Sequence, residues 1–402
     1  MPRPAVVRKT TTPAPIRRRA PREEEARRVA RFRFGKKRLR ELIEASAEDF
    51  WAAVAAADKD VIRAIHLASR DHNTAGRREH AYAIYKKHQQ FFIDGSRLDP
   101  TAIRPVLKFV EKGSIWEQIF QVVRWTWSMP YSAGYGRRLR FVVWDEHHEA
   151  VIGIIGLQSP PVDLAARDDL FVYPSKKKLD YVNRTLDAYT IGSVPPYSSI
   201  MGGKLVAGLV ASNEVRQAYW RVYAGRKTEM QQRRIEQPLV AVTTTSAFGR
   251  SSIYNRLKYG GRLIAEPIGY TKGTGSVHLE PFYAQILDLI RTEEPDLAVG
   301  DYGNGPKRKW QHFKRGLDML GVHRRYFDHG LKREIFLYRL TEKLEDGMSG
   351  GDFGGTLDFP AADYGAFWRE RWGVPRSERD QVWRECKTNP YFRKAILREP
   401  QC

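Results

Sequence analysis

The stretch TTTSAFGRSSIYNRLKYGG, residues 243–261, follows the apolar run PLVAV and sets a phenol, Tyr254, among Thr243, Thr244, Thr245, Ser251, Ser252, Asn255 and Arg250. A phenol in that company can give a proton to a leaving group, or a hydrogen bond to a base or phosphate. The alternative is a ring packed between helix and sheet with its hydroxyl on a backbone partner. A second group precedes it. Between the strand-like LDAYTIGSV and the amphipathic KLVAGLVASNEVRQAYWRVYA lies PPYSSIMGG. There Gly202 and Gly203 would let backbone amides approach an anion at a helix start, and Ser199 and Lys204 can add side-chain contacts. This is not the P-loop pattern, because Ser198 stands at the first glycine and Leu205 at the required Ser or Thr. Glycines at such a turn also serve simply to form it. Asp187, on the strand before the turn, is a candidate general base toward an amine, its alternative being a solvated or capped carboxylate.

Other constellations carry less. Arg167, Asp168 and Asp169 in ARDDLF read equally as a salt-bridged turn, and EPDLAVGDYGNG has Gly303 where a nuclease site needs lysine. HRRYFDHGLKREIF gathers Arg324, Arg325 and Lys332 into a basic turn suited to phosphate. Its His323 and His329 lack Cys or paired carboxylates, so no metal site is expected.

The elements that must position these groups follow from periodicity. Apolar residues spaced by three and four over residues 40–70 predict a helix, REHAYAIYKKHQQFFI a second, and SIWEQIFQVVRWTW a third, capped by Ser114. RRLRFVVWDEHHEAVIGIIGLQSPP then reads as an antiparallel hairpin whose turn exposes His147 and His148. Two strand-to-helix crossovers follow, the second placing Tyr254 one turn into its helix, with RLIAEPIGY as another strand. The fold class is therefore α/β (α+β), a mixed, partly parallel sheet with helices packed on it and ligands expected at the C-terminal ends of the parallel strands. GMSGGDFGG, residues 347–355, reads as a flexible linker into an aromatic tail whose Trp368, Trp372 and Trp383 pack on the core.

Charge points to the partner. The 402 residues carry a net +21, too much to be incidental, and nucleic acid is the expected polyanion. Residues 1–40 hold fifteen Arg or Lys against three Glu, interrupted by five prolines, and are expected to form a disordered arm. Phe32 and Phe34 interleave there with Arg31, Arg33, Lys36, Lys37 and Arg38, suited to phosphate tracking and base stacking; a solvated tail is the plain alternative. Two cysteines exclude a disulfide framework and fit a reducing cytoplasm, and apolar runs such as VIGIIGL fall short of a membrane span.

The order of hairpin, strand, glycine turn, helix, strand and Tyr-bearing helix resembles the GNAT acyltransferase core. More specifically, GYGRRLRFVVWD, VIGIIGLQSP, ARDDLFVY, DAYTIGSVPPYSSIMGGKLVAGLVASNEV, TTTSAFGRSSIYNRL and FWRERWGVPRSERDQVW resemble the DruA family of bacterial anti-phage Druantia systems, from about Tyr82 to the end. The GNAT resemblance implies an acyl-coenzyme A whose pyrophosphate meets the first crossover turn, and a Tyr254 that protonates the departing thiolate. Gly202 keeps the first of that turn's two glycines, while Ser199 stands where it has Gln or Arg, Lys204 where it has the second glycine, and Ala247 where many such enzymes have Asn. Together these readings give four segments. They are a basic arm (1–40), an N-terminal helical region (41–113), a GNAT-like core (114–345), and a linker with aromatic tail (346–402). Two functions are expected: an acyltransferase-like modifier of DNA or a nucleotide target, or a non-catalytic DNA-recognition component working with a helicase and other defence proteins.

Overall fold

The computed structural model describes residues 21–129, 134–228, 232, 234–249, 251–294 and 307–398, side chains excepted at 21–34, 72, 73, 75 and 307. The first helix, α1 (Pro21–Ala55), begins inside the basic segment expected to lack structure. Pro21 is the last of the five prolines and opens the helix, a position where its missing N–H costs nothing, and Glu, Ala and Arg after it favour helix. Leu39, Ile43, Ala47 and Phe50, spaced by three and four, form its buried stripe. Residues 1–20 of the arm lie outside the described residues. Helices α2 (Lys59–Thr74) and α3 (Arg78–Lys87) follow, then β1 (Pro105–Phe109), a strand inside the region read as helical. Helix α4 (Ile115–Arg124) is capped as expected, Ser114 Oγ accepting from the Glu117 N–H at 3.3 Å.

The hairpin β2 (Arg138–Asp145) and β3 (Ala150–Gln158) leads through the short helices α5 (Ala165–Asp168) and α6 (Lys178–Val182) into β4 (Thr185–Ser193). The crossover helices α7 (Gly202–Gly208) and α8 (Asn213–Tyr223) carry the chain to β5 (Ala241–Thr245). After β5 the expected second helix does not form. Residues 252–256 are a turn, Arg256 takes a left-handed φ of 54°, and Gly260 and Gly261 close a tight hairpin of β6 (Lys258–Tyr259) and β7 (Arg262–Leu263). Turn chemistry from Ser, Asn and Gly overrides the apolar spacing of Ile253, Leu257 and Tyr259. RLIAEPIGY is accordingly split between β7 and β8 (Glu266–Tyr270).

Helices α9 (Tyr283–Glu293) and α10 (Lys307–Met319) pack on α1, and β9 (Glu334–Arg339) re-enters the sheet. The seven strands run in the order β1-β2-β3-β4-β5-β9-β8, with β4 and β5 parallel and every other pair antiparallel. This is the mixed, partly parallel sheet expected. Alternation sends Leu139, Phe141 and Val143 of β2 toward α7 and α8, and Val142 and Trp144 toward α3 and α4. Helices α11 (Leu344–Met348), α12 (Ala361–Trp368), α13 (Val374–Arg379) and α14 (Thr388–Leu397) complete the chain. Trp368 and Trp383 are buried in the core, as expected of them. The glycine-rich 347–355 is not a loose linker: it is tied back by the bonds Lys343 N–H to Phe353 O and Glu342 N–H to Gly355 O, both 2.9 Å. Phe353 packs beside Gly347, where a Cβ would meet its ring at 2.2 Å.

Candidate functional site

The parallel pair is short. β4 matches β5 only from Thr185–Ala241 to Ala188–Thr244, and beyond a register shift at Tyr189 its residues Thr190 to Ser193 pair with β3 alone. Where β5 leaves β4 a cleft of about 650 Å3 opens at the C-terminal ends of these strands. Its floor includes Thr190, Gly192, Thr244 and Thr245; one wall is the crossover turn with Ser198, Met201, Gly203 and Lys204. The facing wall is the turn carrying Ser251, Ser252 and Tyr254, and the outer wall comes from α2, the residues after α4, and Arg398 beyond α14.

Tyr254 is buried, its ring 4.6 Å from that of Phe336 and within the main core, so both the packed and the site-lining alternatives describe it. Burial pushes its pKa up to about 12; the Asp187 charge works the same way, and the Thr244 hydroxyl, within hydrogen-bond reach, opposes it. At neutral pH the phenol therefore keeps its proton. Asp187 pairs in register with Thr243, and its side chain accepts from Thr243 Oγ1 at 3.0 Å and Gln158 Nε2 at 3.1 Å. Burial pushes this carboxyl up, against those two hydrogen bonds and the charges of Arg167 and Arg333. Because neighbouring strand residues point to opposite faces, Thr243 and Asp187 share the face away from Thr244 and Tyr254. Tyr254 thus feels the Asp187 charge across the sheet, but the two proposed acid–base residues do not line one pocket.

The turn residues are committed in ways their sequence did not announce. A Cβ on Gly202 would lie 2.6 Å from the Tyr197 carbonyl oxygen, so this glycine is required by packing against its own turn. Gly203 faces Ile253, and Ser199 is exposed and outside the cleft. Lys204 Nζ donates to the carbonyls of Asn255, at 2.5 Å, and Ile253, at 3.5 Å, tying the crossover turn to the Tyr254 turn; burial lowers its pKa.

What local spacing missed is the outer wall. Arg63 and Arg124 line the cleft with Lys204 and Arg398, and no Asp or Glu is among its described lining residues. Arg63 lies over the Phe248 ring at 5.8 Å and Arg124 over Trp127 at 6.0 Å, aromatic side chains that also line it. Arg63, Arg124 and Arg398 come from three distant parts of the chain and share no sequence signal.

The family model described as Druantia protein DruA matches residues 56–350, most of the chain. The chain belongs to the DruA family. One relative, the Druantia protein DruA of Escherichia coli (strain UMEA 4076-1), is 35% identical over 342 residues, covering 83% of this chain and 84% of that protein. No solved structure matches. The matched span includes the crossover turn, Tyr254 and three of the four cleft cations, while Arg398 and the basic arm lie outside it.

The expected nucleic-acid contacts are scattered. Arg31 and Arg33 lie on α1 with side chains outside the described residues, as does Arg250 altogether. Lys36 pairs with Glu293, Lys37 is exposed, and the mostly exposed Arg38 stands 3.6 Å from Glu41. Arg324 is clamped by both oxygens of Asp318, at 2.6 and 3.0 Å, whereas Arg325 lies over the stacked rings of Trp51 and Tyr326 and Lys332 is exposed. His147 is exposed as expected, but His148 turns inward and donates from Nδ1 to the buried Asp145 at 2.6 Å. That carboxylate also accepts from Tyr197 Oη at 2.9 Å, joining the β2–β3 turn to the crossover turn. Among the described residues there is no group of three metal-ligating side chains, and no helix is long and apolar enough to cross a membrane.

Proposed function

We propose that this chain binds nucleic acid during anti-phage defence and that its β4/β5 cleft holds a phosphate-bearing part of that ligand. DruA-family membership supplies the defence setting. The observation that carries the binding reading is the cleft's lining: Arg63, Arg124, Lys204 and Arg398 line it with no carboxylate among its described lining residues, the partners of Arg63 (Asp60, 2.5 Å) and Arg398 (Asp71, 3.5 Å) lying outside it. Guanidinium groups match phosphate geometry, and Trp127 and Phe248 offer faces on which a base can stack. Tyr254, with a pKa of about 12, is suited to donating a hydrogen bond. It is a poor full proton donor to a thiolate, whose conjugate acid has a pKa near 8.5. The DNA-recognition role, with a helicase as partner, is thus the reading we favour.

Acyl transfer is the second reading. The single parallel pair, its crossover turn and the Tyr254 turn meet at one cleft, where the GNAT resemblance locates the donor. The cations fit a pyrophosphate and the volume fits a pantetheine-like arm; Gly202 and Lys204, already committed, fit less well. Such a donor would supply an activated acyl group, while Tyr254 would hold a proton over the leaving atom and Lys204 would keep the two turns together.

Binding isotherms with single- and double-stranded oligonucleotides at several salt concentrations test the first reading. Arg63→Glu should weaken binding about tenfold or more and flatten the salt dependence by roughly 0.7 to 0.9 log units per lost phosphate contact. Unchanged affinity and slope would remove the cleft from nucleic-acid binding. Nucleoside mass spectrometry from cells expressing wild type and Tyr254→Phe tests the second: a modified nucleoside lost in the variant supports transfer.

A further inference from the structure

We infer that Asp71, Arg70, Arg78 and Arg398 form a phosphoryl-binding subsite behind the α14 end of the cleft, joined to its lining through Arg398. It extends the proposed ligand cleft and rests on that reading for the identity of the molecule that brings the phosphoryl group. The subsite itself follows from charge and hydrogen-bond accounting. One carboxylate oxygen, Asp71 Oδ1, serves three guanidinium groups: Arg70 Nη2 at 3.0 Å, Arg78 Nη2 at 3.1 Å and Arg398 Nε at 3.5 Å. Three cations against one anion leave a surplus near +2, close to the charge of a phosphate monoester at neutral pH.

The surplus is held in place from several sides. Arg70 is fully buried and donates from Nη1 to the Trp125 carbonyl at 2.9 Å and the Trp127 carbonyl at 2.5 Å, so it is fixed to the segment that forms the cleft's outer wall. Arg398 lines the cleft directly. Arg78 Nε and Arg398 Nη2 are buried without a hydrogen-bond partner among the described residues, and buried guanidinium donors left unpaired are costly. Burial first, then the Arg398 charge, lowers Arg70 to about 10 against the hydrogen bond and charge of Asp71. An entering phosphoryl group would satisfy the idle donors and cancel the surplus together. A purely structural knot of Asp71 with its arginines would do neither.

The test uses the full chain in thermal-shift titrations with inorganic phosphate, against chloride at matched ionic strength. Phosphate should raise the melting temperature of the wild type. Arg398→Gln should weaken the phosphate response by on the order of tenfold or more in apparent Kd. Asp71→Asn should show a larger phosphate-dependent rise than wild type, because the anion then replaces the lost carboxylate. A phosphate response no greater than the chloride control in wild type and Asp71→Asn, or one that survives unchanged in Arg398→Gln, overturns the subsite. Two further arms name the source: a 5′-phosphorylated oligonucleotide against its unphosphorylated twin, and coenzyme A, each with Arg398→Gln as comparison. An Arg398-dependent phosphate response with neither arm positive would uphold the subsite while sinking the cleft reading.

Discussion

Acid should destabilise this protein through three buried histidines before its carboxylates titrate. His66, His278 and His329 surround Phe50, with ring centroids 6.4, 5.2 and 5.1 Å from it, where α1 and α2 meet the segment before α9 and the loop before β9. Burial, then the charge of Arg333, lowers His66 from 6.5 to about 4, and burial likewise takes His278 and His329 to about 4. The folded pKa values lie below the unfolded ones, so the unfolded chain binds more protons between these limits. Stability is full above about pH 6.5 and is lost as pH falls toward 4. Each histidine costs about 2 kcal/mol by pH 5 and roughly 3 kcal/mol by pH 4, from 1.36 kcal/mol per pKa unit. The three together approach the whole stability of a typical domain, about 5–15 kcal/mol. His66 isolates the effect, because both its ring nitrogens are buried without a hydrogen-bond partner among the described residues. His66→Leu removes two unsatisfied polar atoms for an apolar side chain of similar size, and should be neutral or stabilising at pH 7.5. It should also remove about 2 kcal/mol of the loss between pH 7.5 and 5. Denaturant unfolding at a series of pH values measures this directly. If wild type and His66→Leu lose stability in parallel over that interval, the reasoning is wrong and His66 titrates normally.

Asp145→Asn should destabilise by roughly 3 kcal/mol, since the carboxylate accepts from the N–H groups of Arg104 and His147 as well as from His148 and Tyr197, and an amide would aim a donor at some of them. Denaturant midpoints would show it, and a loss under 1 kcal/mol would mean the crossover turn does not depend on this anchor. Deleting residues 1–34 stops short of Leu39 and Lys36, which help hold α1, and should keep the fold while lowering the salt dependence of DNA binding by about 0.9 log units per lost phosphate contact. An unchanged slope would make the segment a solvated extension.

Features whose cause is local were legible in the sequence. The β2–β3 hairpin, the Ser114 cap, the crossover after β4 and the buried tryptophans of the tail follow from periodicity, side-chain chemistry and turn residues within a few positions of one another. Local reading failed where two local preferences competed. The segment after β5 has helical spacing, yet Asn255, Arg256 and the paired glycines make it a turn and hairpin, and the arm becomes helix once its prolines end. The candidate site was half legible for a different reason. Gly203, Lys204 and Tyr254 are announced by short motifs, but the other cations that give the cleft its sign come from residues 63, 124 and 398. Only tertiary packing could bring those together, and only it could decide which charges remain available. Arg324 is neutralised by Asp318, Lys204 spends its donors on the Tyr254 turn, and three arginines share a single aspartate. A sequence counts charges, but Coulomb energy and desolvation depend on distance and burial, so composition alone established the +21 while the fold decided which of those charges are already paired.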